Sequence, residues 1–189
     1  MRILVAGATG AVGLQLVPQL IAAGHSVVGT TRTPAKAAII KRMGAEPTIA
    51  DGLDAPAIRD TVIAAKPDII IDQMTDLADV TDLRHFDRAF AATNKLRTEG
   101  TDFLLAAARE AGVKRFIAQS FCGWTYGRGG DQIKTEADEL DPNPPEELHA
   151  PCKRSCIWRT PSLARRALKG LSCAMDHSTA RTPECSRGR

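Results

Sequence analysis

The chain predicts a doubly wound α/β domain: a parallel sheet of at least five strands with helices on both faces. Three observations carry this. An apolar run, Ile3-Leu4-Val5-Ala6, leads at once into Gly7-Ala-Thr-Gly-Ala-Val-Gly13 and then into a helical pattern. Strand and helix patterns alternate through the first 120 residues with short links, as parallel βαβ units require. Asp68-Ile69-Ile70-Ile71-Asp72 is apolar without alternation at its centre, the mark of a strand covered on both faces.

Taken in order, the first strand ends at the glycine loop. Gly7 permits a tight turn, Gly10 lets the backbone approach a phosphate, and Gly13 lets the following helix pack close to the strand. A helix start presents free N–H groups and the positive end of the helix dipole, so this Rossmann-type arrangement suits a dinucleotide pyrophosphate. The first helix shows Val12, Leu16, Leu20 and Ala23 on one face, and Gly24 stops it. The second strand spans Ser26 to Thr31. A helix is expected from about Pro34 to Met43, with proline in the first turn and Gly44 beyond the end. A short strand from Glu46 to Ala50 leads to Asp51-Gly52. The next helix, Ala55 to Ala65, buries Ile58, Val62 and Ala65 and stops at Lys66-Pro67. The fourth strand, 68–72, is followed by a polar loop over 74–84. A long helix from His85 to Ala111 offers Phe86, Phe90, Leu96, Phe103, Leu104 and Ala107 to the core. Gly112 caps it, and Lys114 to Ser120 form the fifth strand.

Arg32, at the end of the second strand, is informative by what it replaces. NAD sites of this type carry an Asp or Glu there to accept from the ribose 2′-hydroxyl. Here the neighbours are Thr31, Thr33 and Lys36. A guanidinium can instead pair with a 2′-phosphate through two parallel hydrogen bonds, which points to NADP over NAD. A solvated surface arginine is the alternative.

Composition bounds the rest. The 189 residues suffice for one α/β domain, and 43% apolar residues are ordinary for a globular protein. There is no uninterrupted apolar stretch of about 18 residues, so a membrane span is not expected. The N-terminal apolar run is broken at once by glycine and threonine, unlike a secretion signal, and a cytoplasmic location is the default expectation. The net charge of +3 is unevenly spread. Residues 151–189 hold nine Lys or Arg and two acidic residues, so residues 1–150 carry −4. Four of the five cysteines, Cys152, Cys156, Cys173 and Cys185, also lie in that last part. Two units are therefore expected: a dinucleotide-binding domain over 1–150 and an atypical basic, Cys/Arg-rich segment over 151–189. The latter shows no clean strand pattern, and it reads either as out-of-frame coding or as a short helix, Leu163 to Leu171, with a disordered tail. Its cysteines and His177 do not fall at zinc-ligand spacings, and no metal is expected. It has one aromatic residue, Trp158, and no recognition motif, which argues against nucleic acid as a partner. A homo-oligomer stays open.

The stretches MRILVAGATGAVG, HSVVGTTRTPAKA, GAEPTIADGLD, KPDIIIDQMT, TNKLRTEGTDFLLAAAREAGVKRFIAQS and WTYG, within about residues 1–130, resemble the NAD-dependent epimerase/dehydratase family of the short-chain dehydrogenase/reductase superfamily. The resemblance implies that Gly7, Thr9, Gly10, Ala11 and Val12 meet the pyrophosphate, with Gly13 counted among the cofactor-binding residues, and that Arg32 meets the ribose. It implies Asp51 and Gly52 beside the adenine, and Gln73 and Met74 near the nicotinamide ribose. It also implies an oxidoreductase or epimerase acting on a small or sugar-type hydroxyl or carbonyl substrate. The family's catalysis rests on a tyrosine followed four residues later by lysine, a couple that moves a proton as hydride is transferred. The chain has one tyrosine, Tyr126. Gly130 stands four residues on and Lys134 eight, so neither is assigned the role. Ser120 resembles the family's substrate-binding hydroxyl, with Cys122 an equal register and a satisfied strand-end serine the bland reading. Asn94 is displaced from the family's position before Gly100-Thr101 and takes no role. The missing couple leaves a second function open: a dinucleotide-binding module without turnover.

Overall fold

The computed structural model describes residues 1–78 and 86–119 (side chains of 86 and 87 excepted), positions 126, 127, 129, 133, 134, 138 and 141–143, and the backbone of Ser172–Asp176. Ser120 and Cys122 lie outside the described residues, as do the connections of residues 144–171.

The centre of the sheet is β1 (Arg2–Ala6), flanked by β2 (Ser26–Thr31) and β4 (Ile69–Asp72). β3 (Glu46–Ile49) lies outside β2, and β5 (Arg115–Gln119) lies outside β4. β6 (Ser172–Asp176) pairs with β5, and the order is β3-β2-β1-β4-β5-β6. Every pairing is parallel; Leu4, for instance, stands opposite Val28 on one side and Ile70 on the other. The strand alternation splits the core in two. Leu4, Ala6, Val28, Ile70, Phe116 and Ala118 share one cluster with Ile58 and Val62 of α3 (Ala55–Ala65) and with Leu104, Leu105 and Ala108 of α5 (Thr101–Glu110). Ile3, Val5, Val27, Ile69 and Ile71 face Val17 of α1 (Ala11–Ala22) and Ile40 of α2 (Ala37–Arg42). Helices therefore cover both faces, as expected of a doubly wound fold.

The elements differ from the expectation in four places. On α1 the buried residues are Gly13 and Val17, with Leu16 and Leu20 only partly buried; Val12 is 47% exposed and Ala23 is exposed. The inward face is turned because Gly13 lies against the backbone of Ala8. The expected helix from Pro34 begins as a 3₁₀ turn, Pro34–Lys36, before α2. The long helix comprises α4 (Phe86–Lys95), a π-helical turn (Leu96–Gly100) and α5. In that turn the Thr98 hydroxyl donates to the Asn94 carbonyl at 2.7 Å, one of the side-chain bonds that compete with regular helix. Finally, Ser172–Asp176 is a strand where composition gave no strand pattern. A five-residue run, Ser-Cys-Ala-Met-Asp, offers little hydrophobic signal by itself, and its pairing with β5 is a long-range event.

Two devices stiffen the frame. The Asp54 carboxylate caps α3 by accepting from the Ala57 N–H at 3.0 Å. The Arg59 guanidinium ties α3 to Glu110 at the end of α5. No helix among the described residues is long and apolar enough to cross a membrane.

Candidate cofactor cleft

A cavity of about 420 Å³ opens at the carboxyl edge of the sheet, where the connections after β1 and β4 leave in opposite directions. Clefts in open α/β sheets form at this switch point because the two crossovers diverge and leave the strand ends uncovered. Gly7, Thr9, Gly10, Ala11 and Val12 line it from the first loop, Arg32 from β2, Asp51 and Gly52 from β3, and Gln73 and Met74 from β4. These residues come from four separate stretches of chain, and the fold brings them to one cavity.

The glycine loop is shaped by steric necessity. Gly7 has φ +81°, a region that L side chains rarely adopt, and a Cβ there would meet the Gln73 carbonyl oxygen at 2.8 Å. A Cβ on Gly13 would sit 2.5 Å from the Ala8 oxygen and 2.6 Å from its carbonyl carbon. Gly13, expected among the cofactor-binding residues, is instead buried beneath the loop and does not line the cavity. Its part is close helix–strand packing. Gly10 differs from both. It has φ −77° as the residue preceding α1, and an added Cβ would have one near neighbour, the Gly7 oxygen at 3.3 Å.

Two threonines of β2 brace the loop from the side. The Gly7 N–H donates to the Thr30 hydroxyl at 3.2 Å, and the Thr9 hydroxyl donates to that of Thr31 at 3.3 Å. The Ala8 N–H donates to the Thr30 carbonyl at 3.1 Å. At the start of α1 no side chain caps the helix and no acidic residue stands in its first turn. The N–H groups of Ala11, Val12 and Gly13 have no acceptor within the helix, so the cavity meets the positive end of α1.

The opposite wall is built by a buried carboxylate. Asp72 is 5% exposed; it accepts from the Met74 N–H at 3.0 Å and from the Thr101 hydroxyl at 2.8 Å. These bonds turn the chain after β4 so that Gln73 and Met74 line the cavity. Met74 also packs on Gly52, where an added Cβ would be 2.5 Å from its sulfur. Asp51 accepts from the Leu53 N–H at 2.9 Å, holding the bend after β3.

Three features escape sequence reasoning. Asp72 and Thr101 are 29 residues apart. Gln119, at the end of β5, lines the cavity. Asp76, within the loop expected to be simply polar, lines it too and binds Arg32, from which it is 44 residues distant. No local pattern signals these, since each depends on which strand ends become neighbours.

The family model of the NAD dependent epimerase/dehydratase family matches residues 3–174. The chain is 44% identical over 191 residues to a 3-diazoavenalumate denitrifying reductase of Streptomyces sp, a match covering 95% of this chain and 61% of that protein. It is 36% identical over 118 residues to the Photosystem II assembly factor Ycf39 of Synechocystis sp., covering 62% of this chain and 32% of the relative. The chain thus spans less than two thirds of the length of these curated relatives. Among solved structures, the Thermus thermophilus UDP-glucose 4-epimerase complex with NAD superposes with a TM-score of 0.71 at 20% identity, covering 93% of this chain and 54% of the other. That likeness concerns the fold. With a family model matched over most of its length, on a sheet and glycine loop of the matching kind, this chain belongs to the NAD dependent epimerase/dehydratase family.

Proposed function

We propose that the chain binds a nicotinamide dinucleotide in this cleft, NADP in preference to NAD, and transfers hydride to a small electrophilic substrate. The observation that carries the reading is the pairing of an uncapped α1 N-terminus with Arg32 in one cavity. The residues fit such a group: Gly10 leaves open space toward the cleft, and cations rather than carboxylates end β2. The N–H groups of the α1 first turn would hold the pyrophosphate, with Thr9 beside them. Arg32 and Lys36 would hold the 2′-phosphate. Asp51 and Gly52 would flank the adenine, and Gln73 and Met74 would lie toward the nicotinamide. Bound NADPH would supply the hydride. Ser120, directly after β5, is the proposed substrate contact.

The chain lacks the tyrosine–lysine couple, and the reductase relative suggests why that can be tolerated. Its named substrate is a diazo compound. When hydride replaces a diazonium group, a C–H bond forms, the C–N bond breaks and N₂ leaves, so no alkoxide arises that a phenol would have to protonate. A carbonyl or hydroxyl substrate would need that proton, and losing the general acid costs about 10²- to 10⁴-fold.

Fluorescence titration of the full chain tests the cofactor. NADPH should bind more tightly than NADH, and Arg32→Asp should reverse the order, since a bidentate charged contact contributes about 1.5–3 kcal/mol. Equal affinities, unchanged in the variant, would refute the reading. Turnover is tested by NADPH consumption with 3-diazoavenalumate against UDP-glucose, the first being expected to react. A second reading, a dinucleotide-binding module without catalysis, is favoured by the missing couple and by the relative named as an assembly factor. Tight NADPH binding without consumption of either substrate would select it.

A further inference from the structure

Arg32 does not face the cleft as an uncommitted cation. Its Nη1 donates to Asp76 Oδ2 at 3.0 Å and its Nη2 to Asp76 Oδ1 at 2.7 Å, so one edge of the guanidinium is filled by a carboxylate. The pair has a defined place in the topology. Arg32 follows β2, Asp76 lies four residues beyond β4, and β1 stands between those strands. Two strand spacings, about 10 Å, separate the strand ends that the pair joins. It therefore links the two sides of the strand from which the glycine loop leaves, and both partners line the same cavity.

Asp76 is also positioned from behind. Its N–H donates to the Thr93 hydroxyl at 2.9 Å, and Thr93 is completely buried on α4. The turn before it is held by Asp72 through Met74 and Thr101. The carboxylate thus reaches Arg32 from a braced loop, with 28% of its side chain exposed against 57% for Arg32.

A phosphate monoester offers a guanidinium the same two-oxygen edge as a carboxylate. We infer that Asp76 is a specificity-determining residue: an internal stand-in for the 2′-phosphate that NADP must displace and NAD need not. The inference rests on the NADP reading of the cleft. On this account Arg32 supplies the preference for NADP, and Asp76 holds that preference below what Arg32 alone would give. A displaced Asp76 carboxylate also remains near the incoming phosphate and repels it.

The test is calorimetric titration of the full chain, wild type and Asp76→Asn. The probes are NADPH, NADH, adenosine 2′,5′-bisphosphate and AMP. Asparagine keeps the side-chain shape and the backbone bond to Thr93. An exposed ion pair contributes up to about 1 kcal/mol, which corresponds to about five-fold in affinity. Asp76→Asn should therefore tighten NADPH and the bisphosphate by about five-fold and leave NADH and AMP within about two-fold. Asp76→Ala should change affinity in the same direction, and the gain should vanish in an Arg32→Ala background. Unchanged or weaker NADPH binding in both Asp76 variants overturns the inference. Selective weakening of NADH also overturns it, because Asp76 would then be a ribose-hydroxyl acceptor. If Arg32→Ala selectively weakens NADPH while the Asp76 variants do nothing, this inference fails and the NADP reading stands. If Arg32→Ala leaves NADPH untouched, both fall.

Discussion

Gly10 and Gly13 should separate function from stability, although they stand three residues apart in one motif. At Gly13 an alanine Cβ would lie 2.5 Å from the Ala8 oxygen and 2.7 Å from the Gly7 oxygen. Both are backbone atoms, so neither can swing aside, and α1 must move away from β1. That movement loosens Val17, which is fully buried against Ile3 and Val5. Overpacking of this kind costs about 1–3 kcal/mol, and the rigid neighbours place Gly13→Ala at the upper end, about 3 kcal/mol. At Gly10 the backbone is already in an extended region, and the sole near neighbour is 3.3 Å away. Gly10→Val should cost about 1 kcal/mol, mainly the poorer helix-start preference of valine. Its branched side chain would nonetheless stand where the pyrophosphate must approach. Urea unfolding and NADPH titration, run on both variants, check the contrast. Gly13→Ala should lower the unfolding midpoint clearly and bind NADPH when folded. Gly10→Val should unfold near wild type and bind NADPH at least a hundred-fold more weakly, about 2.7 kcal/mol. A Gly13→Ala protein as stable as wild type would refute the helix–strand approach described here. A folded Gly10→Val protein with normal binding would reduce the loop to a turn.

Thr101→Val removes the hydroxyl that donates to the buried Asp72 carboxylate; about 1.5–3 kcal/mol of stability should be lost, with weaker NADPH binding because the Gln73–Asp76 wall is no longer held. Unfolding free energies and affinities measured together would show whether the two losses coincide. Acid should destabilise the fold in a defined direction. The Arg2 backbone N–H, and then Lys114, hold the Asp68 carboxyl below its ordinary range, and the Arg59 hydrogen bond does the same for Glu110. Groups whose folded values are depressed contribute stability above their unfolded values, near pH 4, and lose it as pH falls through the folded ones. Stability measured from pH 7 down to pH 2 should thus fall less steeply in Asp68→Asn and Glu110→Gln than in wild type; parallel curves would exclude these two groups as contributors.

The order of elements was legible because each is set locally. Ile3–Ala6 before a glycine-rich loop, the all-apolar Ile69–Ile71 and the Lys66-Pro67 stop are read within a few residues of one another. The meeting of Gly7, Arg32, Asp51 and Gln73 around one cleft, the last two expected only from the family resemblance, has a related reason. A parallel βαβ chain must bring its strand ends to the same edge. Which face of α1 turns inward was not legible. Val12 belongs to the apolar set by type, yet Gly13 has no side chain and alone permits the backbone approach that orients the helix.

The sequence by itself determined the first five strands of the sheet and their helical cover. Periodicity, breakers and glycine geometry act over short stretches of chain, so they can be read without coordinates. Tertiary structure alone decided what the residues at the carboxyl edge meet. The bond of Thr101 to Asp72, the packing of Met74 on Gly52 and the pairing of Arg32 with Asp76 join positions 22 to 44 residues apart. Their partners are chosen by strand order and by the turn after β4, and side-chain chemistry at either end is compatible with many others. Arg32 shows the difference most plainly. Its type and position announce an anion site, and only the folded chain supplies an anion of its own to fill it.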